Sequence, residues 1–180
     1  SWRVRELLAD RLKHNVQVPR DIVLHMASDT DAVALPVLSA SKVLSDADLV
    51  GIVRQSPNVS KLLAISKRDS VSERVSEALV ETQYAEVATS LLSNHGAAIS
   101  GRSLERIAED FNANAEVLEI LASQRDLPIT VVERIVSKVS QDVASRLRQD
   151  YKVAEVKVER DAGAIREDVM VRLLDQELEN

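Results

Sequence analysis

The chain has 180 residues, which is enough for one domain with a buried core, and it contains no cysteine, so disulfides, thiolate nucleophiles and cysteine-based metal sites are excluded. Aromatic residues make up only 2% of the sequence, whereas ligand pockets and single-strand nucleic-acid sites usually depend on aromatic rings. The net charge is −6, and residues 43–126 carry eight Lys and Arg against thirteen Asp and Glu, the reverse of a surface that binds phosphates.

The sequence gives no sign of a membrane segment. No apolar run approaches the roughly 20 residues that a membrane-spanning helix needs, and the first residues lack the apolar core of a signal peptide. The lack of cysteine also fits a reducing compartment. We therefore expect a soluble, cytoplasmic protein.

A unit of about 27 residues recurs along the chain, a period that is typical of helical repeats. Each copy has a helix-start residue, an apolar helical stripe, a polar break and a second, shorter stripe. The copies start at Val18, Leu44, Val71, Ile99 and Leu127. Because one pair of short helices cannot bury its apolar faces alone, the repeat predicts a stacked helical array.

Residues 1–13 predict one amphipathic helix, because Val4, Leu7, Leu8 and Leu12 recur at helical spacing. This segment is similar to the second half of a repeat without its first half. We expect the helix to cap the array at its N-terminal end.

The first complete unit begins at Val18 and Pro19, and its second helix contains Pro36. Proline is harmless in the first turn of a helix, whereas deeper inside it costs about 3 kcal/mol and forces a kink. We therefore expect a short or late-starting helix around Pro36.

The later units begin with residues that cap helices. Ser45 with Asp48, and Ser70 with Glu73, have the spacing of a capping box. Gly96 closes the third unit and is suited to the left-handed conformation that ends many helices. We therefore assign the polar residues of these loops to helix starts and turns rather than to chemistry.

The pattern changes at Thr130. One helix is predicted from Thr130 to about Asp150, which is longer than the repeat helices, and a charged helix is predicted from about residue 154 to 176. We therefore divide the chain into a helical-repeat array at 1–130, with its N-terminal capping helix, and a C-terminal helical pair at 131–180 that packs on the array or extends it.

Five short segments stand out along the repeats. In chain order they are Leu35-Pro36-Val37-Leu38, Leu44-Ser45-Asp46-x-Asp48-Leu49, Leu62-Leu63-Ala64-Ile65-Ser66-Lys67-Arg68-Asp69, Leu91-Leu92-Ser93-Asn94 and Arg125-Asp126-Leu127-Pro128. Together they resemble an alphaproteobacterial helical-repeat family, domain of unknown function two-three-three-six, over most of the chain. The resemblance implies a superhelix similar to HEAT or armadillo arrays and carries no catalytic residues across.

The period and the resemblance together predict an all-α fold. The expected architecture is a right-handed superhelical array of short antiparallel helix pairs, a HEAT- or armadillo-like α-solenoid, with longer C-terminal helices.

Residues with metal-binding or catalytic chemistry do not form a recognisable pattern. His14, His25 and His95 lie in different units without ligand spacing, while Asp29 and Asp31 lack the glycine and the distal glutamate of a calcium loop. The sequence has neither a nucleophile elbow nor a glycine-rich phosphate loop. We predict no metal site, no cofactor and no catalytic residue.

These observations favour a non-enzymatic scaffold or adaptor that binds a protein partner. The expected interaction surface consists of polar residues that lie off the apolar stripe of the second helices. They are Lys61, Lys67, Glu86, Thr89, Glu116 and Glu119.

Two alternatives remain open. In the first, the C-terminal helices mediate oligomerisation of a signalling or regulatory protein, through Val143, Leu147, Val156, Ile165, Val169 and Leu173. In the second, the array is a HEAT-like nucleic-acid-binding or DNA-repair module, which the acidic repeats disfavour. The one basic segment that could meet a phosphate or membrane surface is the N-terminal helix, with Arg3, Arg5, Arg11 and Lys13.

Overall fold

The computed structural model describes residues 2–55 and 58–151, and these residues form eleven α-helices and no strand. The helices are α1 (Trp2–Leu12), α2 (Arg20–Ala27), α3 (Asp31–Ala40), α4 (Asp46–Gln55), α5 (Val59–Ser66), α6 (Glu73–Glu81), α7 (Ala85–Leu92), α8 (Gly101–Asp110), α9 (Ala115–Ala122), α10 (Ile129–Ile135) and α11 (Gln141–Tyr151). The predicted all-α fold is therefore confirmed for the described part of the chain.

The helices pack in two rows. The odd-numbered helices form one row, in which each helix from α1 to α9 contacts the next odd-numbered helix. The even-numbered helices from α4 to α10 form the other row in the same way, and each even-numbered helix also packs on the odd-numbered helix that follows it. Neighbouring repeats therefore bury the faces that a single helix pair leaves open.

Four odd-numbered helices share one pattern of exposure. In α3, α5, α7 and α9, seven consecutive residues are in turn exposed, buried, buried, half-buried, half-buried, buried and buried. These segments are 32–38, 60–66, 86–92 and 116–122. Because the buried positions recur after four residues, they lie on one helix face, and each repeat leaves the same two positions accessible between them.

Side chains from one repeat bind the C-terminal end of the odd-numbered helix in the preceding repeat. The donors are Arg68, Asn94 and Gln124, which follow α5, α7 and α9, and Arg146 within α11. The acceptors are the carbonyl oxygens of Leu38 (2.6 Å) and Ser41 (2.7 Å) for Arg68, Ser66 (2.7 Å) and Arg68 (2.8 Å) for Asn94, Leu92 (2.9 Å) for Gln124, and Ala122 (3.0 Å) for Arg146. We term these bonds the carbonyl ladder; they satisfy groups that a helix end leaves without a partner.

The capping box at the start of α4 is confirmed. The backbone N–H of Ser45 donates to Asp48 Oδ2 at 2.9 Å, and the N–H of Asp48 donates to Ser45 Oγ at 3.3 Å. At α6 the predicted cap is wrong by two residues, because Ser72 rather than Ser70 accepts from the N–H of Val75. The extra residues before Ser72 are used in a contact with the next repeat.

That contact joins the loops after α5 and α7. The N–H of Val71 donates to the Gly96 carbonyl at 3.0 Å, and the N–H of Ala98 donates to the Val71 carbonyl at 2.8 Å. A Cβ atom at Gly96 would lie 2.0 Å from the carbonyl oxygen of Asp69. The expected left-handed conformation of Gly96 is wrong, since its φ is not positive. Glycine is needed there because two backbones approach closely.

The single helix expected from Thr130 to about Asp150 is also wrong. Helix α10 ends at Ile135 and α11 begins at Gln141, so these residues form a further helix pair of ordinary length. The break is held by a contact between repeats, in which the N–H of Ser140 donates to Glu119 Oε1 of α9 at 2.7 Å. The predicted helix at 154–176 lies outside the described residues.

Proline is accommodated inside α3. Pro36 is the sixth residue of this ten-residue helix, so the expectation of a late-starting helix is wrong. The proline leaves the carbonyl of Ala32 without its usual helical donor, at a cost of about 3 kcal/mol in an isolated helix. The buried residues Val37 and Leu38 continue the helix beyond it, and α3 packs on α1, α2 and α5. Tertiary packing therefore outweighs the local cost.

The N-terminal helix packs through a different side from the one expected. Ala9 is fully buried and Leu12 is half-buried, whereas Val4, Leu7 and Leu8 are 54%, 65% and 46% exposed. Helix α1 does pack on α3 at the end of the odd-numbered row. Most of its predicted apolar stripe, however, contacts nothing in the described part of the chain that would bury it.

Two glycine substitutions should have opposite effects on stability. Gly96→Ala should lower the free energy of unfolding by about 2 kcal/mol, because its Cβ would collide with the Asp69 backbone. Gly51→Ala should raise it by about 0.5–1 kcal/mol, because Gly51 lies within α4 and, apart from the backbone of its own helix, no atom lies within 4 Å of the place that the added methyl group would take. Urea unfolding measures both values, and equal effects of the two substitutions would contradict the close approach at Gly96.

Candidate interaction surface

An open cleft lies between α5 and α7, with a volume of about 460 Å³. Three residues of the predicted interaction surface line it, namely Lys67, Glu86 and Thr89. Lys67 and Glu86 are exposed and Thr89 is half-buried. Lys67 lies just beyond the C-terminal end of α5, while Glu86 and Thr89 lie on α7. The packing of adjacent repeats thus brings together residues that are about 20 positions apart in sequence.

A larger cleft, of about 740 Å³, lies between α7 and α9. Its apolar lining consists of Leu92, Ala97, Ile99, Leu104 and Ile120. Its polar lining consists of Ser93, Asn94, His95, Ser123, Gln124 and Arg125. The cleft therefore offers both apolar contact and hydrogen-bonding groups, with arginine as its permanently charged residue.

A third cleft, of about 490 Å³, lies between α9 and α11. Arg146 and Tyr151 of α11 form part of its lining. The Tyr151 hydroxyl accepts a hydrogen bond of 2.9 Å from the N–H of Leu127, which fixes this wall of the cleft.

The three clefts adjoin. Ser93 and Asn94 line both the first and the second cleft, while Ser123, Gln124 and Arg125 line both the second and the third. Together the clefts make one surface across the C-terminal halves of α5, α7 and α9 and onto α11, which we term the groove. The sequence prediction missed these five residues, although each lies in the first three positions after an odd-numbered helix.

Two side chains of the carbonyl ladder also line the groove. The Nδ2 of Asn94 and the Nε2 of Gln124 are bound to carbonyl groups of the preceding helix. Those two side chains therefore act as fixed walls. By contrast, the Ser93 hydroxyl and the Arg125 guanidinium have no hydrogen-bond or ion-pair partner within residues 2–55 and 58–151, and they are exposed. They remain available to a ligand.

Lys61 does not belong to the exposed surface that the sequence predicted. It is only 8% exposed, and its Nζ donates to the carbonyl oxygens of Ala27 at 3.2 Å and Asp29 at 3.0 Å. The ammonium group therefore binds the end of α2, and its apolar stem is buried in the array. The sequence pattern failed here because lysine occupies a position that Val87 and Val117 fill in later repeats.

The two remaining predicted residues lie on α9. Glu116 is exposed in the first turn, where a carboxylate favours the positive end of the helix. Glu119 is half-buried and accepts the bond from Ser140 that fixes the start of α11. Neither residue lines the three clefts that form the groove.

Charges on the even-numbered helices are paired between repeats. The ion pairs are Arg54 with Glu81 (3.5 Å), Arg106 with Glu81 (3.8 Å), Arg102 with Glu77 (3.9 Å) and Arg134 with Glu109 (3.8 Å). Each joins an even-numbered helix to the next. Because these side chains are solvent-exposed, each pair contributes at most about 1 kcal/mol. These side chains form ion pairs within the array, whereas Lys67 and Arg125 lie in the groove.

A family model described as an uncharacterised protein conserved in bacteria, DUF2336, matches residues 33–180. The chain belongs to this family. The resemblance to domain of unknown function two-three-three-six is therefore confirmed, and the family model describes it as bacterial. The DUF2336 match begins within α3, so that α1 and α2 precede it and the whole groove lies inside it. No curated protein and no solved structure matches the chain.

The described part of the DUF2336 chain contains no helix that is both long and apolar enough to cross a membrane. Within the same residues, no three His, Asp or Glu side chains gather as they would around a metal ion. His14, His25 and His95 are all exposed. Asp29 and Asp31 bind other residues: Asp29 accepts from Arg5 and from the N–H of Thr30, and Asp31 accepts from Asn58.

The carboxyl group of Asp48, on α4 and outside the groove, has a lowered pKa. Hydrogen bonds from Arg20, followed by those from Ser45, lower its pKa from 3.8 to about 2, against the opposing effect of burial. The Nε of Arg20 donates to Asp48 Oδ2 at 3.0 Å, and the Nη2 binds Oδ1. This carboxylate therefore joins α2 to α4 and caps α4 at the same time.

Asp48→Asn should make the stability of this DUF2336 domain less dependent on pH. Because the pKa of Asp48 is lower in the folded state, the ionised carboxylate stabilises the folded state by about 2 kcal/mol at pH values above the unfolded pKa of 3.8. This contribution is lost as the pH falls from about 4 to about 2. Urea unfolding at pH 6 should show a gap of this size between wild type and variant, which closes towards pH 2.

Asp21→Asn is the matched control, since Asp21 is an exposed residue in the first turn of α2. It should retain the wild-type pH dependence. A gap between wild type and Asp48→Asn that is as large at pH 2 as at pH 6 would contradict the assignment of the Asp48 pKa to the contact with Arg20.

Proposed function

We propose that this domain is a non-enzymatic scaffold, an α-solenoid of stacked helix pairs whose groove binds a segment of a partner protein. The observation that carries the proposal is the adjoining of three clefts, which share Ser93 and Asn94 on one side and Ser123, Gln124 and Arg125 on the other. A surface that continues over several repeats is suited to an elongated ligand rather than to a small molecule.

The chemistry of the groove favours an extended polypeptide. Apolar side chains such as Ile99 and Ile120 lie beside hydroxyl and amide groups, a combination that accepts both side chains and main-chain polar groups. Adjacent helices lie about 8–10 Å apart, and an extended chain advances about 3.3 Å per residue. Each repeat therefore matches about three residues, and the three clefts match a segment of about ten.

Two tryptophan substitutions should close the groove without unfolding the domain. Ser93 and Ser123 are exposed and each lines two clefts, so that Ser93→Trp with Ser123→Trp fills the groove at both junctions. Selection from a random twelve-residue peptide library should enrich peptides on wild-type protein. Their affinity for the double variant should fall at least about tenfold, and the thermal unfolding midpoint should stay the same.

The matched control carries the same change at exposed serines outside the groove, Ser60→Trp with Ser137→Trp. It should bind the selected peptides like wild type. If no peptide is enriched, the proposal of a peptide-binding scaffold fails. If the peptides bind equally well to the groove variant and to the control, they occupy another surface and the groove assignment fails.

A further inference from the structure

Helix α1 presents an apolar face to solvent. Val4, Leu7 and Leu8 are 54%, 65% and 46% exposed, and together with Arg11 they have the spacing of one helix face. The buried Ala9 lies on the opposite side of the helix, which packs on α3. We term the residues Val4, Leu7, Leu8 and Arg11 the open face.

The open face lies where another helix would continue the row. Helices α3, α5, α7 and α9 each pack on an odd-numbered neighbour on both sides and on the even-numbered helix before them. In the described part of the chain, α1 has an extended contact with α3 alone. Its exposed apolar side therefore has the shape and chemistry of a helix-docking surface rather than of a solvated helix.

Charge selects the kind of helix that fits. The open face carries the exposed Arg11. Asp10 follows Leu7 by three residues and so borders this face, but it is held in an ion pair with Lys13 at 2.6 Å. A second α1 packed on this face would bring another Arg11 to it, which is unfavourable. The complementary occupant is an amphipathic helix with acidic residues beside its apolar stripe.

The chain itself contains such a segment. Residues 154–180 lie outside the described part, and their sequence has eight Asp and Glu against four Lys and Arg. Ile165, Val169 and Leu173 recur every four residues, the pattern of one apolar helix face. We propose that residues 154–180 of one copy dock on the open face of α1 in a second copy, so that the chain associates head to tail.

Docking within one copy is disfavoured by distance. Helices α1 and α11 are at opposite ends of the odd-numbered row, five helix spacings apart, which amounts to about 40–50 Å. The residues between Tyr151 and Ile165 would span about 45 Å only if they were fully extended. A second copy can present the same segment without this constraint. The proposal does not depend on the groove, which lies on other helices.

Sedimentation velocity of the full chain tests the proposal with two variants. The face variant is Leu7→Asp with Leu8→Asp, and the tail variant is Ile165→Asp with Val169→Asp. Wild-type protein should sediment faster as its concentration increases, and high salt should weaken this association. Each variant alone should remain monomeric at every concentration. Thermal unfolding should show that both variants are folded, since Leu7 and Leu8 are exposed.

Mixing the variants gives the decisive result. The face variant still has an intact tail, and the tail variant still has an intact open face, so an equimolar mixture should form a one-to-one dimer and no larger species. Ile129→Asp is the matched control, because Ile129 of α10 is 49% exposed at a distant site. This variant should associate like wild type.

Three results would overturn the proposal. The first is a wild-type protein that is monomeric at all concentrations. The second is a face variant that associates like wild type, and the third is a mixture of the two folded variants that stays monomeric. Flotation with vesicles containing phosphatidylserine tests whether the open face binds a lipid surface instead. If the wild-type protein stays monomeric but binds these vesicles, and Leu7→Asp with Leu8→Asp abolishes that binding, the occupant of the open face is a membrane surface and not residues 154–180.

Discussion

The carbonyl groups at the C-terminal ends of α3, α5, α7 and α9 are the constraint on which the remainder of the array depends. A short helix has few internal hydrogen bonds, so the groups at its end are a large fraction of its polar surface. Arg68, Asn94 and Gln124 satisfy them from the next repeat, and two of these residues bind carbonyls at distances below 2.9 Å. Each repeat is therefore completed by the one that follows it.

The same side chains determine the form of the groove. Asn94 and Gln124 bind the helix before them and also line the clefts, so the spacing of the clefts follows from the spacing of the repeats. Gly96 contributes in the same region, where its loop lies against the backbone of Asp69. A protein of short aliphatic helices thus obtains a continuous polar and apolar surface.

The sequence predicts features that depend on the local pattern of residues. It does not predict features that depend on contacts between repeats. The repeat, the all-α fold and the Ser45 cap follow from periodicity and capping residues within one unit. Lys61 is buried because the end of α2 offers carbonyl groups, and Gly96 is constrained by another loop. Positive φ values are taken instead by Gln83 and Asp126, which no pattern indicates. The sequence does not predict the groove, because its shared residues lie in the loops after the helices, and the polar residues of those loops are expected only to cap helices and form turns.

Amide hydrogen exchange on Asn94→Ala tests the carbonyl ladder most directly. Asn112→Ala is the control, because the Asn112 side chain binds the Glu109 carbonyl three residues away and no other described residue. Removing Asn94 leaves the carbonyls of Ser66 and Arg68 without their donor, so exchange should accelerate throughout α5 and α7 together. The control should change only the loop around residue 112. Faster exchange confined to the loop at 93–96, with α5 unchanged, would contradict the account.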